Sequence, residues 1–469
     1  MDLADEERRA AWKADLGAVF RDRKVITGLI PLAGLTSWVG LLRAAGARRP
    51  LLLATSVGAG PVPTTDDADI HLMDAPRYPS MTEELRRSDH LARHLPEAAA
   101  AAVHAYDPEG EAVWLHGPFV VDEPIDGRPV LGGRPAAWLA LEDKLIVDEI
   151  WAAVGAPHVA ARVVAVDAAG LAEASRALDE GSGVVWAGDA RDGFNGGGDF
   201  TRWVATEHDR AAALAFFAPR CDRVRVMPFL DGVPCSIHGV VLPDGTAAFR
   251  PVELAIMRGS GRRFVYGGQG TTWDPPARDR EQMRELVRRT GEHLRARVGY
   301  RGAFGIDGVL TRDGFRPTEV NTRAPGGLAT LARGVDADAF TLLQVACLAQ
   351  HDPGVTVADL EDWAVPAMDA ARVTKAIAMS RRQVTSESID VPVHWDGTTL
   401  RRAHDGEATA RVLVGPSAVG SFCLLRDDVL SPGDRLGHLN AALLRLLDAE
   451  LDTGFGPVEP APDLRTTTP

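Results

Sequence analysis

The sequence predicts a multidomain chain of mixed α/β and α+β class, and three observations carry that expectation. Its 469 residues exceed one small fold, since a domain averages about 150 residues. Short apolar runs alternate with helix-period segments through the first half, the rhythm of α/β units. Beyond residue 223 the pattern changes to strand-like runs joined by turns such as Pro243-Asp244-Gly245 and Arg312-Asp313-Gly314, which is how antiparallel sheet reads.

A hydrophobic fraction of 45% with 25% charged residues is enough to fill a core and excludes global disorder. Asp and Glu outnumber Lys and Arg by 65 to 51, a net charge of −14 that opposes attraction to nucleic-acid backbones and anionic membranes. Neither is expected as a partner. The four cysteines, Cys221, Cys235, Cys347 and Cys423, show neither CxxC nor zinc spacing, which fits a reducing compartment. The chain opens on Asp2, Asp5, Glu6 and Glu7 rather than a basic leader segment, and a cytoplasmic protein is expected. Residues 25–42 carry no formal charge, but Gly28, Pro31, Gly34 and Gly40 divide them into a strand, a loop and a helix start, not a membrane span.

The elements follow in order. A charged helix opens the chain, LLLATSV at 51–57 is a strand, and Ser80-Met81-Thr82-Glu83 is a capping box that starts a helix. A helix carrying Lys144 is expected from about 136 to Gly155, with Pro157 beyond it. Then come a strand at 159–166, a helix at 167–178, a strand at 183–188 and the loop DARDGFNGGGDF, too rich in glycine for regular structure. RVRVMPFL, SIHGVVL and TAAFRPVELAIM read as one antiparallel meander. A polar helix at 279–298 leads to the hairpin AFGIDGVL and FRPTEVN, and RVTKAIAMS, ARVLVG and LNAALLRLLDAEL form a last α+β unit. The expected division is 1–135, an N-terminal α/β domain; 136–364, a central region; 365–455, a small C-terminal α+β domain; and 456–469, a disordered tail.

The hairpin carries the sharpest chemistry. Glu319 and Asn321 lie two apart on one strand and so share a face, and the short turn returns that face toward Asp307. Two carboxylates and an amide oxygen make a hard oxygen site of the kind that holds magnesium with nucleotide phosphates. Arg323, in Thr322-Arg323-Ala324-Pro325-Gly326-Gly327, adds a fixed charge able to offset negative charge on a transferred phosphoryl group. Gly196, Gly197 and Gly198 leave amides open to phosphate oxygens, although such a run also serves as a flexible connection. Lys144, by spacing alone, is a surface lysine paired with Asp148 or Glu149. Arg258, Arg262 and Arg263 form either a solvated basic loop or a site for a carboxylate or phosphate of the substrate, and Glu253 on the preceding strand is a candidate to hold an incoming amine.

Taken in order, DKLIVDEIWAAVGAP, the glycine loop, MPFLDG with SIHG, GAFGIDGVL and PTEVNTRAPGG resemble the ATP-grasp superfamily, and the whole chain resembles its peptide ligases of the pheganomycin type. The resemblance implies an ATP-grasp fold with a preceding α/β domain and a small C-terminal α+β domain. It implies an ATP-dependent carboxylate–amine ligase that activates an acid as an acyl phosphate and joins it to the amine of an amino acid or peptide, with ATP and Mg²⁺ as cofactors. Asp307, Glu319 and Asn321 would hold the metal, and Arg323 the γ-phosphate or acyl phosphate. Lys144 and Gly196 to Gly198 would meet nucleotide phosphate, and Met227, Phe229 and Leu230 would form the adenine hinge. The family's usual lysine is replaced by Trp186 and its usual glutamates by Met227 and Pro234, with Arg191 the candidate for the missing charge. The rival readings are the same fold with another acceptor, as in a carboxylase, and a nucleotide-binding module without catalysis. Oligomeric state is left open.

Overall fold

The computed structural model describes residues 1–73, 77–196, 198–404 and 406–465. Its first layer is a five-stranded parallel sheet of β1 (Val25–Ile30), β2 (Leu51–Ala54), β3 (Asp69–Leu72), β4 (Val113–Leu115) and β5 (Val130–Leu131), ordered β3-β2-β1-β4-β5. The uncharged run at 25–42 resolves as expected into β1, a 3₁₀ turn at Leu32–Leu35 and the helix Thr36–Ala44. Gly28 is required there: its φ is +140°, and a Cβ would lie 2.2 Å from the Leu53 carbonyl oxygen where β1 crosses close to β2. Among the described residues no helix is long and apolar enough to cross a membrane.

The second layer is a four-stranded antiparallel sheet of β6 (Arg162–Ala165), β7 (Val184–Gly188), β8 (Thr201–Val204) and β9 (Arg223–Pro228), ordered β6-β9-β7-β8. The helices Ala168–Leu178 and Glu207–Phe217 cover one face, each started by a side-chain cap, Asp167 on the Gly170 amide and Thr206 with Asp209 in a capping box. Their apolar sides meet Val184, Trp186, Val224 and Val226. The alternate residues Val185, Ala187, Arg225 and Met227 are thereby turned to the opposite face, which lines a cleft.

The third layer is a twelve-stranded sheet. Its strands are β10 (Val233–Leu242), β11 (Gly245–Ala248), β12 (Val252–Gly259), β13 (Arg263–Gly270), β14 (Gly302–Thr311), β15 (Gly314–Asn321), β16 (Thr374–Ser380), β17 (Ile389–Trp395), β18 (Leu400–Arg402), β19 (Ala410–Ser417), β20 (Gly420–Leu425) and β21 (Val458–Glu459). The helix Ala277–Val298 crosses it, burying Met283, Leu286, Val287, Thr290, Gly291 and Leu294 at the i, i+3, i+4 spacing of one helical face. That face packs on Ile237, Phe304 and Tyr300.

Four expectations are corrected. The helix expected through 136–155 is broken into Ala136–Leu139, a 3₁₀ turn at Ala140–Glu142 and Val147–Ala153. Asp143 is extended there and its side chain accepts from the Leu145 amide at 3.0 Å, a turn that competes with the helix and leaves Lys144 on the connection. The meander expected through 223–257 is split, because β9 pairs with β6 and β7 while β10 begins the large sheet. The helix Val357–Ala370 runs through the expected division at 364, and β16 pairs with β13, so the C-terminal strands continue the central sheet. Residues 456–465 of the expected disordered tail are ordered: β21 pairs with β12, Val458 and Ala461 are buried, and Arg465 forms a two-pronged ion pair with Asp279 at 2.6 and 2.8 Å. Residues 466–469 lie outside the described residues.

Candidate active site

The hairpin β14–β15 pairs Asp307 directly with Glu319, and Gly305 with Asn321. The strand period then puts both carboxylates and the amide on one face. Asn321 Nδ2 donates to Asp307 Oδ2 at 2.9 Å, while Asn321 Oδ1 is buried with no hydrogen-bond partner. Burial, and then the Glu319 charge beside it, push the Asp307 carboxyl up to about 6, against hydrogen bonds from Ser236 and Asn321 and the charge of Arg323. Like charges set opposite each other on paired strands are destabilising on their own. A hard divalent cation removes that repulsion and gives the orphaned amide oxygen a partner, so the donor set fits Mg²⁺. The Lys144 ammonium meets the same charge from the other side, donating to Glu319 rather than to Asp148 or Glu149.

Arg323 is held at the end of a buried ion chain. Its guanidinium donates to Glu142 at 2.5 Å, and the other Glu142 oxygen accepts from Arg134 at 2.6 Å. Arg134 also donates to the Thr322 carbonyl at 2.7 Å. Burial alone would raise the Glu142 carboxyl, but Arg323 and Arg134 outweigh it and hold it below the usual range. The Arg323 guanidinium lies 5.3 Å from the ring centre of Phe119 and 5.0 Å from that of Phe194, a cation–π clamp contributed by the N-terminal unit and the glycine loop.

The glycine loop is shut by the helix Met81–Arg93. Thr82 Oγ1 donates to the Gly196 carbonyl at 2.8 Å, and Arg86 donates to the Phe194 carbonyl at 2.7 Å and to the Asn195 side chain. Asn195 in turn donates to the Asp189 carbonyl at 2.6 Å. Gly197 lies outside the described residues. A charge-assisted bond is worth about 1.5–3 kcal/mol, so Arg86→Ala is expected to raise deuterium exchange across 189–200 by roughly tenfold or more. Unchanged exchange there would count against the latch.

Between these groups lies a cleft of about 620 Å³, lined among others by Lys144, Gly196, Gly198, Met227, Phe229, Leu230, Pro234, Asp307, Glu319, Asn321 and Arg323. Phe229 anchors the segment 227–230 expected as the hinge, its amide bonded to the Gly183 carbonyl at 3.0 Å and its ring stacked on Trp203 at 4.0 Å. On the floor, His238 packs so tightly that a Cβ on Gly327 would lie 2.1 Å from its Nε2, which excludes any larger residue at 327. Burial drives His238 down to about 3 and leaves it uncharged, with Nδ1 unpartnered.

Three expected site residues lie elsewhere. Arg191 is turned out of the loop, paired with Asp192 and Asp222. Arg262 pairs with Asp209 at 2.8 Å. Glu253 is buried with its acceptors filled by Arg435 at 2.9 Å and the amides of Leu436 and Gly437 at 2.8 and 3.1 Å; it caps the helix Leu436–Leu451 and is closed to an amine. Arg258 does line the cleft, paired with Asp231. Trp186 is buried among the helices of the small sheet, its indole N–H on Ser175, so the cleft-facing neighbour is Ala187. Opposite Ala187 stands Arg225, bound to Asp148 by two bonds of 2.6 and 2.7 Å. The signal for it was the alternation in RVRVM, where valines face the helices and Arg225 shares the face of Met227.

No family model matches the chain, and no curated protein matches it. Solved structures do. An N5-carboxyaminoimidazole ribonucleotide synthetase in complex with ADP is similar at 11% identity and a TM-score of 0.50, over 92% of this chain and 98% of that one. The carboxyaminoimidazole ribonucleotide synthase of Aspergillus clavatus with ATP is similar at 12% and 0.51, over 93% and 99%. The biotin carboxylase domain of the Hydrogenobacter thermophilus 2-oxoglutarate carboxylase, with MgADP and bicarbonate, is similar at 13% and 0.54, over 94% and 91%. The chain thus has the ATP-grasp fold, with a parallel N-terminal sheet and a large antiparallel sheet.

Proposed function

We propose that the protein is an ATP-dependent carboxylate–amine ligase that joins an acid to the amine of an amino acid or peptide. The observation that carries this reading is the convergence of Asp307, Glu319, Asn321 and Arg323 on one cleft, beside a glycine loop and a hinge. Asp307, Glu319 and Asn321 would hold Mg²⁺, which would supply positive charge against the nucleotide phosphates. The backbone of Met227 to Leu230 receives the adenine, and Lys144, Arg225, Gly196 and Gly198 face the phosphates.

A substrate carboxylate oxygen attacks the γ-phosphorus, the bond from phosphorus to the bridging oxygen breaks, and ADP leaves. Arg323, oriented by Glu142, offsets the charge on the phosphoryl oxygens. The amine nitrogen then attacks the acyl carbon of the acyl phosphate, inorganic phosphate departs, and the nitrogen loses a proton to give the amide. No nucleophilic side chain is required. The four cysteines, all buried and unpaired, support a reducing, cytoplasmic setting.

The test is ADP and phosphate release with Mg-ATP across pairs of amino acids and short peptides, with mass spectrometry of the products. Release that needs both an acid and an amine and yields their summed mass less water is expected. Nucleotide binding without stimulation by any pair overturns the reading.

A further inference from the structure

One wall of the cleft takes no part in holding the metal site, Arg323 or the glycine loop. On β12 and β13, Ile256 pairs with Tyr266 and Arg258 with Phe264, so Leu254, Ile256, Arg258, Phe264 and Tyr266 share a face. All five line the cleft and are half-buried. The alternate residues Ala255 and Met257 are buried in the core beneath the helix Leu436–Leu451. The wall reaches the reaction centre at its inner end: Tyr266 donates to Gln269 at 2.8 Å, and Gln269 lies against Gly326, where a Cβ would meet its side chain at 2.7 Å.

The cations around this wall are already paired. Among the described residues lining the cleft the cations are Lys144, Arg225, Arg258 and Arg323. Each is already paired with a carboxylate, namely Glu319, Asp148, Asp231 and, shared with Arg134, Glu142. Two of them, Lys144 and Arg323, stand at the metal hairpin, so a second phosphate beside the nucleotide would meet no unpaired cation. A charged group brought out of water without a partner is strongly disfavoured, whereas an apolar side chain gains by covering Leu254, Ile256 and Phe264.

We infer that the amino acid or peptide lying against β12 and β13 carries an uncharged, apolar side chain and no phosphate group. The inference rests on the ligase reading and names the substrate class for that site. Leu254, Ile256 and Phe264 select the side chain, and the Arg258–Asp231 pair closes the outer rim.

The experiment measures ATP-dependent phosphate release with L-leucine, L-phenylalanine, L-aspartate, L-lysine and O-phospho-L-serine, each paired in turn with every other and with glycine. Leucine or phenylalanine is expected to give the highest kcat/KM, by about 10–100-fold over the charged probes. Ile256→Asp should lower kcat/KM for the apolar probes by a similar factor, with KM for ATP unchanged, while Ile256→Leu keeps the preference; the unchanged KM for ATP shows that the variant has folded. Highest turnover with aspartate, lysine or phosphoserine, or an apolar preference unmoved in Ile256→Asp, overturns the inference and leaves the ligase reading standing. Silence with every pair while ATP still binds overturns the ligase reading, and the inference with it.

Discussion

Glu319→Gln is expected to lower ADP release at saturating Mg-ATP by about 10²–10⁴-fold while leaving the fold intact. The substitution keeps the shape of the side chain and removes one of two carboxylates set opposite each other across β14 and β15. A neutral amide is a poorer ligand for a hard cation than a carboxylate, and the electrostatic stabilisation lost at a phosphoryl group is of the size that single preorganised groups supply. The thermal stability of the metal-free protein should move little, because two effects oppose. Lys144 loses its partner, which destabilises, while Asp307 loses the like charge that helps push it up to about 6, which stabilises. Steady-state kinetics and a Mg²⁺ titration of nucleotide binding check the first part, and a melting curve without metal checks the second. Turnover within tenfold of the wild type would remove Glu319 from the metal set.

Much of this site was legible because strand chemistry is local. The spacing of Glu319 and Asn321, the short turn at 312–314 and Asp307 on the other arm together require one shared face, and the structure has it. The strand before the glycine loop also stands where its apolar run puts it. What escaped was whatever depends on a partner far away in sequence. Glu253 reads as a free carboxylate until the helix Leu436–Leu451, more than 180 residues later, is seen to start on it. Lys144 reads as a helix-surface lysine until β15 brings Glu319 to it. Arg262 reads as an available charge because its carboxylate, Asp209, comes from another element. The ordered tail at 456–465 was missed for the same reason: its composition is that of a linker, and only the edge of β12 makes it a strand. Trp186 is a different case. Its position one residue from Ala187 inverts which face it occupies, and a single-residue shift along a strand moves a side chain from cleft to core.

The ion chain behind Arg323 sets the second large expectation. Glu142 is buried between Arg134 and Arg323, and Arg134 is itself about 1% exposed. Removing the carboxylate in Glu142→Ala leaves two guanidinium groups facing each other, one of them with no route to water. Breaking a buried pair by deleting one partner costs about 3–5 kcal/mol, which for a unit of 150–250 residues corresponds to a fall in Tm of roughly 10 °C. Catalysis should fall as well, by about 10²–10³-fold, because Arg323 would then be held only by the rings of Phe119 and Phe194. Glu142→Gln separates the two effects: the amide oxygen can still accept one bond, so part of the stability returns, while the charge that anchors both arginines does not. A Tm for Glu142→Ala within 2 °C of the wild type would mean that Arg134 finds another partner. Retention of full turnover in Glu142→Ala would mean that Arg323 is positioned by the aromatic pair alone. The ion chain also accounts for the arginine following β15 so closely. Thr322, between Asn321 and Arg323, is fully buried, with its carbonyl on Arg134 at 2.7 Å and its hydroxyl on the Trp138 carbonyl at 2.6 Å. Asn321 and Arg323 are thus carried on one rigid stretch of backbone, and a change at Glu142 reaches both.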